Sequence, residues 1–81
     1  MTTYLIEAYV TGGSIADLQS RARAAAEAMT IEGHVVRYVR SVLVPADETC
    51  FHLVDAASED AVAELARRAQ LQYERIVEAE E

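Results

Sequence analysis

At 81 residues the chain has room for one compact domain, and a hydrophobic share of 52% sets it apart from a disordered tail. Fourteen acidic residues against seven basic ones leave a formal charge of −7, which repels phosphate backbones and anionic headgroups at long range. Nucleic acid and membrane surfaces are therefore set aside as partners, and no apolar run approaches the roughly 20 residues that a spanning helix needs.

The lone cysteine, Cys50, has no intramolecular disulfide partner, and the chain does not open on the charged and then apolar segments of a secretory leader. A reducing cytoplasm is the expected compartment. A domain of this size buries only about 60% of the surface its unfolded chain exposes, so covering a further face with a second copy is the expected route to stability.

Taken in chain order, Tyr4 to Val10 is rich in β-branched and aromatic residues and reads as a strand that stops at the turn-forming Thr11-Gly12-Gly13. Ser14 is the N-cap of a first helix, with Asp17 three residues on. Ile15, Leu18, Ala22, Ala25, Ala26 and Met29 recur at spacings of three and four, which predicts one buried stripe ending near Gly33. His34 to Val44 is the longest predicted strand, and Pro45-Ala46-Asp47-Glu48 is a turn. Thr49 to Asp55 is a third strand. Ser58 caps a second helix whose acidic start, at Glu59 and Asp60, and basic end, at Arg67 and Arg68, suit its dipole. Val62, Leu65, Ala66 and Ala69 form its buried stripe, and Tyr73 to Ala79 is a last strand that runs into the acidic tail, residues 78–81.

This order, βαββαβ over residues 1–81, predicts a ferredoxin-like α+β domain. Right-handed crossovers favour a four-stranded antiparallel sheet in the order 4-1-3-2 with both helices on one face. Period-two alternation assigns Ile6, Ala8, Phe51 and Leu53 to the helix side because they are small or purely apolar. It assigns Leu5, Glu7 and Tyr9, Tyr38, Arg40 and Val42, and Cys50, His52 and Val54 to the uncovered face. That face mixes apolar residues with charges, so the expectation is a homodimer whose two sheets close into a dimeric α+β barrel.

Within such a barrel Glu7, His52 and Arg40 would form one polar row, either a ligand or metal site or a buried network that fixes dimer register. Cys50 and His52 stand at i, i+2, a spacing that points both side chains the same way and suits soft or borderline divalent metals. The candidate metal ligands are His52, Cys50 and Glu7, with His34 as an outlier. Tyr38 is the tyrosine best placed to line a pocket. Phosphate-loop, metal-helix and serine-nucleophile motifs are missing from the sequence.

Tyr4-Leu5-Ile6-Glu7, Tyr38-Val39-Arg40-Ser41, Thr49-Cys50-Phe51 after Asp47-Glu48, Ala66-Arg67-Arg68-Ala69 and Ile76-Val77 together give a resemblance that runs nearly end to end. By these segments the chain resembles the small bacterial ferredoxin-like domains of formerly unknown function that include a nickel-binding protein. The resemblance implies a dimeric barrel and a capacity for divalent nickel. Glu7, Ser41 and Cys50 match its pattern, and Tyr38 stands where an aromatic residue is usual. Arg40 and Leu65 stand where many relatives carry histidine, and His52 where they more often carry tyrosine.

Three functions stay open at this level: a non-enzymatic binding protein for nickel or another divalent metal; a cofactor-free enzyme of the monooxygenase or cyclase type using His52, Arg40 and Tyr38; and a structural or interaction module.

Overall fold

The computed structural model describes residues 1–10 and 14–80; the predicted turn at Gly12 and Gly13 lies outside the described residues. The elements run β1 (Thr2–Tyr9), α1 (Ile15–Ile31), β2 (Val36–Val44), β3 (Thr49–Ala56), α2 (Glu59–Arg68) and β4 (Tyr73–Glu78), with a single 3-10 turn at Pro45–Asp47 between β2 and β3. The strands form one antiparallel sheet in the order β2-β3-β1-β4, the ferredoxin-like arrangement expected from the sequence.

Local chemistry explains the boundaries. The Ser14 and Ser58 hydroxyls accept the Asp17 and Ala61 backbone N–H groups, satisfying donors that the first turn of each helix leaves free. Gly33 closes α1 with φ 98°, a conformation that a Cβ would strain. Pro45 cannot donate to the ladder and ends β2, and Glu48 at φ 50° turns the chain back into β3.

The core lies between the helices and one sheet face. Leu18, Ala22, Ala25, Ala26 and Met29 of α1 are buried, as are Val62, Leu65 and Ala66 of α2 with Ala69 just beyond it, against Tyr4, Ile6 and Ala8 of β1. Alanine dominates the α1 stripe, which lets the helix approach the sheet closely. No helix among the described residues is long and apolar enough to cross a membrane.

Face assignment departs from the expectation on two strands. On β3 it is Cys50, His52, Val54 and Ala56 that share the face of Ala8, Ile6, Tyr4 and Thr2, their partners in the ladder, while Phe51 and Leu53 pair with Glu7 and Leu5 on the open side. On β2 the register shifts between Tyr38 and Arg40: Tyr38 pairs with Val54, Arg40 with Leu53 and Ser41 with His52. The extra residue reverses the alternation, so Tyr38 turns toward the helices while Arg40 and Val42 take the open face.

Candidate functional site

The β2 irregularity builds the most distinctive side-chain cluster of the molecule. In an unbroken strand Tyr38 and Ser41, three residues apart, would point to opposite faces. The inserted residue puts both on the helix side, flanking His52. The ladder places Ala8 and Cys50 together, and Ile6 beside His52, on that same face.

His52 is fully buried at 0% exposure, and its Nδ1 lies 2.7 Å from the Tyr38 hydroxyl oxygen. The two rings are tilted by 53° with centroids 5.7 Å apart. Its Nε2 is buried with no hydrogen-bond partner in the described structure. An orphaned buried polar atom costs about 1–3 kcal/mol, so this nitrogen invites a ligand. Burial depresses the imidazole pKa to about 4, so His52 is neutral near neutral pH.

From α1, Gln19 Nε2 donates to Ser41 Oγ at 2.6 Å, and one turn later the Arg23 guanidinium carbon sits 5.0 Å from the centre of the Tyr38 ring. Burial raises the pKa of Tyr38 and of Cys50, and the Ser41 hydroxyl offsets part of each rise. The resting cluster therefore consists of a phenol, a thiol and a neutral imidazole inside an apolar shell.

The expected polar row does not form. Glu7 lies on the open face and meets Arg75 at 3.3 Å, with Phe51 rather than His52 as its ladder neighbour. Arg40 is likewise on the open side, so an enzyme site joining Arg40 to His52 loses its geometric basis. His34 is at the far end of α1, its Nε2 3.8 Å from Glu32. Of the four candidate metal ligands, the structure brings together His52 and Cys50 and separates Glu7 and His34 from them. No group of three or more His, Cys, Asp or Glu side chains among the described residues could hold a metal ion. Any ion at the pair would draw its other donors from hydroxyls, water or another chain. Sequence reasoning missed Gln19 and Arg23; their i, i+4 spacing beside the alanine stripe was the available signal.

On the open face Leu5, Val42, Phe51, Leu53 and Val77 share an apolar centre by ladder position. Around it stand Glu7 with Arg75, Tyr9 with Glu74 at 2.6 Å, and Asp55, which accepts from Thr3 and Arg37 at 2.7 Å each.

A family model described as "Nickel responsive protein SCO4226-like" matches residues 4–79. Among solved structures, the chain is similar to the crystal structure of SCO4226 from Streptomyces coelicolor A3(2), with a TM-score of 0.71 and 22% identity over 95% of this chain and 94% of that one. No curated protein matches the chain.

Proposed function

We propose, from the premise that the chain belongs to the nickel responsive protein SCO4226-like family, that it is a small homodimeric cytoplasmic protein that binds divalent nickel, with His52 as the principal ligand. The observation that carries the reading is the buried, partnerless Nε2 of an imidazole whose Nδ1 is held by Tyr38. Metal-ligating histidines commonly donate their second nitrogen to a fixed partner, which sets the tautomer and aims the free lone pair. When Nδ1–H donates to the Tyr38 oxygen, Nε2 presents a lone pair. The depressed pKa keeps that lone pair free of a proton near neutral pH.

Cys50 follows as second ligand, since imidazole and thiolate suit borderline divalent ions, and its raised pKa means that binding must expel a proton. The apolar centre and polar rim of the open face support the homodimer, because stable interfaces share that anatomy. The protein's charge of −7 also favours approach of a cation.

Calorimetry with nickel on metal-stripped protein tests the binding. Saturable uptake near neutral pH, lost in His52→Asn and accompanied by a thiolate charge-transfer absorption lost in Cys50→Ala, is the expected result. Absence of uptake, or uptake unchanged in a folded His52→Asn variant, overturns it.

A further inference from the structure

His52 and Cys50 are both fully buried, so anything that reaches them must pass a part of the fold that opens. β2 is an edge strand, and the seam between it and α1 borders solvent beside the cluster. Two side chains of α1, one turn apart, close that seam: Gln19 donates to Ser41 at 2.6 Å, and the Arg23 guanidinium carbon rests 5.0 Å from the centre of the Tyr38 ring. Their neighbours on this stretch of the helix, Ala22 and Ala26, are buried but too small to wedge the seam shut.

Tyr38 has both a reason to hold its place and room to leave it. Its hydroxyl meets His52 Nδ1 at 2.7 Å, while the residue also lines a cavity of about 440 Å³ between α1 and the start of β2, shared with Arg23, Ala26, Thr30, Ile31 and Val36. Rotation of the side chain into that space takes the hydroxyl off His52 without rebuilding the sheet. The register shift just after Tyr38 locally disrupts the ladder at the same point. Two contacts oppose the rotation, the hydrogen bond to His52 and the cation–π contact with an exposed arginine, which is of the weak kind.

We infer that Tyr38 is the gate to the His52–Cys50 site, with Arg23 as its latch and the neighbouring cavity as the space that receives the swung ring. That nickel is what passes this gate rests on the reading above. Closing returns the hydroxyl to Nδ1 and seals the site again. The latch carries a positive charge, so it also slows an approaching cation.

Alkylation of Cys50 by iodoacetamide in the metal-free full chain tests the gate, and stopped-flow nickel association tests what uses it. Alkylation is expected to depend on urea far less than global unfolding does, the mark of a local opening. Arg23→Gln is expected to speed alkylation about two- to five-fold, as the loss of an exposed cation–π contact allows, and nickel entry by at least as much. Ala26→Leu, which extends a side chain into the cavity, is expected to slow both rates, an effect that lost stability cannot mimic because it would speed labelling. Arg21→Gln, on the same helix but beside Asp17, should change neither rate. Alkylation that rises with urea as steeply as global unfolding, or rates indifferent to Arg23→Gln and Ala26→Leu, would overturn the gate whether or not nickel binds. Alkylation that follows these variants in a chain that takes up no nickel would uphold the gate and remove nickel as what passes it.

Discussion

The Tyr38 hydroxyl and the His52 Nδ1 lie 2.7 Å apart, in a hydrogen bond buried between the sheet and α1. Tyr38→Phe removes the oxygen and keeps the ring, leaving an imidazole with both nitrogens buried and unsatisfied. The expected cost is about 1–3 kcal/mol in urea unfolding, the penalty for stranding a buried polar group. A double variant, Tyr38→Phe with His52→Phe, should recover part of that loss, because it removes the stranded group as well. Equal stability of Tyr38→Phe and the parent would show that the contact contributes nothing.

Much of the architecture was legible in the sequence because the signals were local and mutually consistent. Ser14 and Ser58 cap where expected, Gly33 takes the positive φ that ends α1, and the apolar stripes of both helices are the buried ones. The site was legible only in part. Phe51 and Leu53 are more apolar than Cys50 and His52, so burial by residue type pointed them at the helices. The polar ends of the strand told otherwise: Thr49 and Asp55 share the parity of Phe51 and Leu53, which marks that side as the open one. The β2 irregularity had no such marker. Tyr38-Val39-Arg40-Ser41 contains no glycine, and the extra residue becomes visible only when the strand is set against β3.

Stability should depend on pH through His52. Its native pKa of about 4 lies below the ordinary imidazole value of 6.5, so between these limits the unfolded chain binds a proton that the folded one refuses. The contribution is complete above about pH 6.5 and is lost as pH falls toward 4, where the native imidazole begins to titrate; the full span is worth roughly 3 kcal/mol. Urea midpoints measured from pH 7.5 down to 4 should decline more steeply in the parent than in His52→Phe. Parallel slopes would mean that the imidazole is not excluded from water as described.

Cys50 offers a probe of how the cluster opens. The thiol is at 0% exposure and its pKa is raised by burial, so a thiol reagent should react far more slowly with the folded chain than with the urea-unfolded one. The residual rate reports local opening of α1 against the sheet. If Cys50 and His52 share nickel, saturating nickel should slow labelling further, and should have no such effect in a folded His52→Asn variant. Rapid labelling of the folded chain would contradict the burial.

Self-association should respond to charge placed at the centre of the open face. Val42 pairs with Phe51 there and is 49% exposed in the single chain, so Val42→Glu costs the folded chain little. In a twofold dimer that packs these faces together, each copy would drive an unpaired carboxylate into the interface, and the two would meet near the axis. The dimer dissociation constant should rise by roughly tenfold or more in sedimentation equilibrium. Ile31→Glu supplies the control: Ile31 is more exposed, at 87%, but sits at the end of α1 away from the open face, and its replacement should leave association unchanged. Were Ile31→Glu to disperse the dimer while Val42→Glu left it intact, the contact would lie along the helices, and the apolar centre formed by Leu5, Phe51 and Leu53 would need another explanation.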